Sequence, residues 1–334
     1  MYKKRLHQYA VFTAACTFCL IFIGGLVTST GSGLSVPDWP TTYGQNMFLF
    51  PLHKWIGGIK YEHGHRLFAS FVGFLTVVLA VWIAVKEDRL WMKWFGFAAV
   101  GAVILQGVLG GLTVLFLLPT PISVAHGMLA QTFFCIVSLI ALFTSKWWND
   151  IESIPLNKRG KLLQILMVSA TVAVFIQLGL GAWMRHSYSG LAVPDFPLAF
   201  GQIFPTLSAD ALQKYNQQLI AEGIKWPGDA PIVGYQILIH MLHRTWAYIV
   251  AIIVFTAGFQ TYRSAFLPKI IRRAGIGLMI AIIIQFTLGI MTVLTRKQVI
   301  ITTAHVTLGA FTLVLCVLTT VMISKMFNFH LSTR

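Results

Sequence analysis

Charge is scarce in this chain. Only 10% of its 334 residues are Asp, Glu, Lys or Arg, against about 25% in a soluble domain, which is too few to cover a globular surface. Acid is scarcer still, with ten Asp and Glu against 25 Lys and Arg. Cysteine is almost absent: Cys16, Cys19, Cys135 and Cys316 all fall inside apolar blocks and none in a loop. A disulfide framework is therefore excluded, a Cys16/Cys19 contact on one helix apart, and no Cys/His cluster of the zinc type exists. Core packing is the ordinary use of such thiols. The net charge of +15 would suggest nucleic acid on a soluble protein. Here the basic residues stand in short loops between apolar blocks, which is how membrane topology is written.

What the chain has in abundance is apolar sequence, 57% of it, in long blocks rather than alternating stripes. A span needs roughly 20 apolar residues to cross a hydrocarbon core of about 30 Å. Eight blocks qualify, near 9–29, 64–85, 91–116, 122–144, 162–185, 236–259, 272–294 and 300–324. The first follows Lys3-Lys4-Arg5 and resembles a signal peptide, but a matching block recurs in mid-chain, so it is read as a retained helix. An even number of spans returns both termini to one side. That side, with the segments 86–93, 145–161 and 260–273 and the C-terminal Lys325 and Arg334, carries sixteen Lys and Arg; the other carries seven, Lys54, Lys60, Arg185, Lys214, Lys225, Arg296 and Lys297. The positive-inside rule then puts both termini in the cytoplasm.

The sequence repeats itself. Ser32–Pro40 (SGLSVPDWP) is answered by Ser189–Pro197 (SGLAVPDFP), and Gly44-Gln45 by Gly201-Gln202. His65-Arg66 returns as His243-Arg244, Gln106–Leu115 (QGVLGGLTVL) as Gln285–Leu294 (QFTLGIMTVL), and His126 as His305. The offset grows from 157 to 178 and 179, so the second half gains about twenty residues around 204–233, including Trp226-Pro227-Gly228. Four helices per half give both halves the same orientation, a parallel repeat. The predicted fold is an all-α integral membrane protein of two tandem four-helix bundles, 1–150 and 151–334. The Gly and Pro of the SGLxVPD motif suit turns, and Asp38 and Asp195 read as turn caps in a lid over each bundle.

Of the ten histidines, His7 and His330 lie near the termini and read as solvated, and His53 and His186 fall in outer loops. The other six, His63, His65, His126, His240, His243 and His305, all lie near the outer ends of the even-numbered helices. Ionisable groups inside spans are expensive, so function is the default reading. His65 and His126 in one half, and His243 and His305 in the other, offer two imidazoles across each bundle. Such a pair suits axial ligation of heme iron, whereas zinc wants three or four close ligands. Gly107, Gly110, Gly111, Gly127, Gly289 and Gly309 would let a flat macrocycle approach, or let helices pack. Arg66 and Arg244 stand where a guanidinium could bind a heme carboxylate, or snorkel to the interface.

Glu62-x-x-His65-Arg66, His126-Gly127, His243-Arg244 and His305 in a duplicated eight-helix chain resemble the heme A synthase family, as do Thr30–Leu34 (TGSGL) and Gln106–Gly111. The resemblance runs from about residue 20 to 320. It implies an oxidoreductase that oxidises the C8 methyl of heme O to a formyl group, giving heme A for terminal oxidases. It implies a cofactor heme b held by His243 and His305, a substrate site at His65 and His126, and a catalytic role for Glu62. It further implies a cell-membrane location with the heme sites toward the outer face. The partners it implies are heme O, heme O synthase and cytochrome oxidase assembly factors, with no nucleic acid; homo-oligomerisation is left open. Some family members carry cysteine pairs in the outer loops; this chain has none there, which excludes an outer disulfide from its mechanism. Within the chain, Glu62 is matched by His240. Glu62 lies one turn from His65, where it could move a proton or pair with Arg66. A diheme electron carrier would need the same histidines but no carboxylate in one half only. A transporter would need broken helices at mid-membrane, whereas the polar residues here sit at the outer edge.

Overall fold

The computed structural model describes residues 3–224 and 230–327. Lys225, Trp226-Pro227-Gly228, His330 and Arg334 lie outside the described residues. Eight helices in it are long and apolar enough to cross a membrane. They are α1 (Lys4–Ser29), α2 (Ile59–Lys86), α3 (Leu90–Leu115), α4 (Thr120–Thr144), α6 (Lys158–His186), α8 (Gly234–Arg263), α9 (Lys269–Leu294) and α10 (Val299–Met326). In hydrocarbon every backbone polar group must find its partner within the segment, and a helix does that. Two further helices, α5 (Lys146–Asp150) and α7 (Ala209–Ala221), are shorter. The spans outrun their apolar blocks by several residues, because Lys and Arg are good helix formers whose charged ends reach water along their own stems. Buried threonine hydroxyls are satisfied within their own helix, as Thr17 donates to Thr13 O and Thr261 to Ala257 O (both 2.8 Å).

Helices α1 to α4 pack in a ring, α1 on α2 and α4, and α3 on α2 and α4. Helices α6, α8, α9 and α10 form the same ring, α6 on α8 and α10, and α9 on α8 and α10. Each ring has its own core, one around Leu79, Ile83, Phe133 and Val137, the other around Met167, Val254, Leu278 and Ile323. The rings join where α1 meets α10 and where α4 meets α6 and α10.

One end of the molecule is tied by charge. Arg89 donates to both oxygens of Glu87 (2.9 and 2.8 Å) and to Phe143 O (3.1 Å), fastening the α2–α3 turn to the end of α4. His7 is not solvated as its position suggests: its Nδ1 meets Ala141 O at 3.0 Å, because α1 begins early enough to reach α4. The opposite, lid end carries the loops after α1 and α6. In the first, Asp38 accepts from Tyr43 N (2.7 Å) and Gly44 N (2.8 Å); in the second, Asp195 accepts from Phe200 N (2.9 Å) and Gly201 N (3.0 Å). Burial works against the charged form of Asp38, but Thr41 and these amides outweigh it and hold the carboxyl below its usual range. The extra residues of the second half build α7, capped by Ser208, whose Tyr215 stacks on Phe200 at 3.9 Å between centroids. Asn216 brackets Ile232 through both its N (2.7 Å) and O (3.1 Å). This small core, with Leu191, Val193 and Leu219, roofs the second ring.

Candidate functional site

Four imidazoles stand just below the lids, one on each of α2, α4, α8 and α10. Each ring lies against a glycine of the neighbouring helix. A Cβ built on Gly24 of α1 would come within 3.0 Å of His65 Cε1, and one on Gly110 of α3 within 3.1 Å of His126 Cε1. In the second ring of helices the distances are 2.9 Å from Gly181 of α6 to His243 and 3.1 Å from Gly289 of α9 to His305. Glycine inside a helix costs about 1 kcal/mol relative to alanine, so four at equivalent places mark a steric requirement. His65 and His126 lie within electrostatic range of each other, as do His243 and His305. The structure thus places the members of each expected pair on two helices of one ring, His65 on α2 and His126 on α4, His243 on α8 and His305 on α10.

Three glutamines complete the pattern; Gln106 and Gln285 were matched in the sequence repeat, whereas Gln177 was missed. Gln106, Gln177 and Gln285 each precede one of these glycines by one turn, a Q-x-x-x-G spacing on three helices; α1 has Leu20 instead. Gln106 Nε2 donates to His126 O (2.9 Å), Gln177 Nε2 meets His243 O (3.2 Å) and Nε2 (3.3 Å), and Gln285 O faces His305 Nδ1 (3.2 Å). The repeated Q-x-x-x-G was the available signal.

The remaining site residues belong partly to the lids. Glu62, 4% exposed, accepts from Val36 N (2.8 Å) and pairs with Arg66 (2.6 Å). Arg66 also donates to Val36 O, Asp38 O and Thr41 O (2.9, 2.7 and 3.1 Å). Arg244 repeats this on Val193 O, Asp195 O and Leu198 O. Both guanidinium groups are thus engaged with loop carbonyls. His240, in the place of Glu62, donates through Nδ1 to Ser189 O (3.0 Å). His63 meets Thr42 Oγ1 (3.1 Å) and packs between Phe50 and Trp55, so it holds the lid rather than the interior. His53 lies in a short 3-10 turn, and His186 is the last residue of α6, not a loop residue. Trp39 from the first lid lies on α3, where a Cβ on Gly111 would come within 2.5 Å of its ring.

Buried polar atoms without partners should be few, and each asks for an explanation. Here Nδ1 of His65, His126 and His243 and Oε1 of Gln106, Gln177 and Gln285 are buried and unpartnered. Among the described residues no three His, Cys, Asp or Glu converge as a ligand set. Facing imidazoles in glycine-floored slots fit a group that takes two axial nitrogens and otherwise presents a flat apolar surface, which is a heme.

The profile of the COX15-CtaA family, cytochrome oxidase assembly protein, matches residues 7–55 and 58–318. The chain belongs to that family. Curated relatives carry the name heme A synthase. One from Alkalihalophilus pseudofirmus is 31% identical over 65% of this chain and 72% of its own length. Another from Shouchella clausii is 25% identical over 92% and 91%. A third from Halalkalibacterium halodurans is 26% identical over 90% and 91%. All four histidines fall inside the matched segments. The family and the eight spans make this a multi-pass membrane protein.

Proposed function

We propose that the chain is a heme A synthase, oxidising the C8 methyl group of heme O to a formyl group. Family membership, the naming of its relatives and two facing histidine pairs support the reading. The observation that carries it further is the Glu62/His240 difference between otherwise matching halves. Residues 1–150 form the substrate bundle, where His65 and His126 receive heme O under the Trp39 lid. Residues 151–334 form the cofactor bundle, where His243 and His305 hold heme b. That heme supplies one-electron chemistry when bound.

Turning a methyl into a formyl group places one oxygen atom, at the oxidation level of water, on that carbon and withdraws electrons to an external acceptor and protons to nearby bases. Glu62 projects from the same helix face as His65, one turn away, and is a carboxylate able to accept a proton beside that pair. Its bonds to Val36 N and Arg66 fix the carboxylate before substrate arrives, which is the positioning catalysis requires. Arg66 and Arg244 close the lids, and Trp39 helps keep water from the first bundle. The protein lies in the cytoplasmic membrane with both termini in the cytoplasm and both sites toward the outer face. It draws heme O from heme O synthase and delivers heme A to cytochrome oxidase assembly.

The test is co-expression with a heme O source followed by heme extraction. Heme A is expected from the parent chain, and Glu62→Ala should keep bound heme yet lose conversion. Heme b alone, with heme O unchanged, would make the protein an electron carrier. Undiminished conversion by Glu62→Ala would remove that carboxylate from the chemistry.

A further inference from the structure

The two halves differ most sharply in charge at the rim of the second ring. Arg185 stands where the first half has Thr28, and Lys297 where it has Leu118. The backbone there is duplicated. Leu117-Leu118 and Arg296-Lys297 both lie in the left-handed region (φ 58 and 60, 54 and 62). Leu118 N and Lys297 N close equivalent turns onto Thr113 O and Thr292 O, both at 2.7 Å. A Cβ on Gly33 would lie 3.5 Å from the Leu118 side chain, and one on Gly190 would lie 3.5 Å from Lys297 Cδ. The same scaffold thus holds a leucine in one half and a cation in the other.

Arg185 is one turn along α6 from Gly181, the residue that floors the His243 slot. It is partly buried, and its Nη2 donates to Gly25 O (3.1 Å) and Ser29 Oγ (2.8 Å) of α1. Ser29 is itself held by Thr303 Oγ1 of α10 (3.0 Å). These are neutral partners. Among the described residues neither Arg185 nor Lys297 forms an ion pair, although Arg296 beside it pairs with Glu222 at 3.9 Å. Arg185 lies within electrostatic range of both Lys297 and His305. A partly buried cation without a counter-charge is costly, and the exposed Lys297 within its electrostatic range adds a second positive charge that an anion would offset.

We propose that Arg185 and Lys297 form the carboxylate-binding site for the porphyrin held by His243 and His305. This rests on the reading of that pair as a heme site. The arginines next to the histidines, Arg66 and Arg244, turn their Nη atoms to lid carbonyls. Arg185 Nη2 is taken up by Gly25 and Ser29, but its charge and its Nη1 hydrogens can give a carboxylate one charge-assisted hydrogen bond, and Lys297 supplies a point charge at the rim. The first half, with Thr28 and Leu118 at these positions, lacks the pair. The two bundles would therefore grip a porphyrin differently, the second firmly through its carboxylates, as suits a resident cofactor.

The test uses the full chain with His65→Ala and His126→Ala, so that only the second pair binds. It is titrated in detergent with ferric heme b and with the dimethyl ester of the same heme, read by the Soret band. Arg185→Gln should weaken binding of the free acid by about ten- to a hundred-fold and Lys297→Gln by a few-fold. Neither should change binding of the diester, and Arg185→Lys should restore most of the loss. The midpoint potential should also fall in Arg185→Gln, since a positive charge favours the reduced iron. Equal losses for acid and diester would make Arg185 structural and overturn the proposal. So would unchanged affinity for the free acid. Bound phosphatidylglycerol that tracks Arg185 while heme affinity stays constant would assign the cations to a lipid phosphate instead. If the parent binds neither form, the heme reading itself fails, which is a separate result.

Discussion

Replacing Gly181 by alanine puts a methyl group 2.9 Å from His243 Cε1. Carbon atoms in good contact lie about 3.5–4.0 Å apart, so the ring must yield by more than half an ångström. The imidazole is a rigid ring that can yield only by turning away from Gln177, at 3.3 Å from its Nε2, a movement open to the heme-free protein and closed to a ring fixed on iron. Overpacking of this kind costs about 1–3 kcal/mol. Charged to the heme-bound geometry, that is about 5- to 150-fold in heme affinity. The same change should favour the helix itself by up to about 1 kcal/mol. The two effects therefore separate by sign: heme retention falls while the heme-free protein melts no lower than the parent. The control is Gly179→Ala on the same helix, whose Cβ would sit 3.8 Å from Met128 Cε, an ordinary contact. Both proteins are purified, stripped and titrated with heme, with thermal unfolding measured alongside. If Gly181→Ala holds heme as tightly as Gly179→Ala, the slot does not position the ligand and the argument from four glycines collapses.

Two further outcomes follow from the lid and from the opposite end. Arg66→Gln removes the cation from Glu62 and the donors from three loop carbonyls; breaking a buried pair this way should cost about 3–5 kcal/mol. The loss is read as a lower melting temperature and faster proteolysis within residues 30–58, and unchanged resistance would mean the loop is held by other contacts. Glu87 is held at about 2, first by its hydrogen bond from Arg89, against a usual value of 4.5. A depressed carboxyl contributes stability that is complete above the unfolded value and is lost as pH falls from there toward 2. The parent should therefore lose about 1 kcal/mol more than Glu87→Gln across that window, a figure discounted for solvent screening. Parallel curves for the two proteins would contradict it.

The spans were legible because lipid imposes one solution on a backbone, and a block of apolar residues announces it. The histidine pairs were legible because ionisable groups are costly in such blocks, and because duplication showed which ones belong together. Other features were hidden for physical reasons. Arg66 and Arg244 read as free to bind a carboxylate because the carbonyls that occupy them lie 25 to 51 positions away in sequence, reached only when the loop folds back. His63 looked like its near neighbour His65, but two residues are about 200° on a helix, enough to turn it from the interior to the lid. Helix α7 is amphipathic and mostly polar, so a search for apolar blocks passes over it. Its partner surface, Leu191, Val193 and Ile237, comes from segments on either side. Gly24 and Gly181 gave no sign on their own. Only their one-turn spacing from Leu20 and Gln177, set beside Gln106–Gly110 and Gln285–Gly289, exposes the four slots as one device.

A duplicated chain allows function to be sought by subtraction. On the proposed function, what both halves share, the lid carboxylates Asp38 and Asp195, the lid arginines, the four glycine slots and the four imidazoles, is what holding a porphyrin would require of either bundle. What they do not share must separate two roles. The first half has Glu62 where the second has His240, Leu20 where it has Gln177, Thr28 where it has Arg185 and Leu118 where it has Lys297. Every one of these differences lies within about a turn of an imidazole slot or at the rim above it. Their sense is consistent. The first half gains one carboxylate and loses cations and a ring-facing amide, which leaves a site able to accept protons and lightly gripped. The second gains cations and a glutamine on its histidine, which on the same proposal suits a site that retains an anionic porphyrin. An enzyme that must release one heme and keep another needs that division, and an electron carrier built from two equal hemes does not.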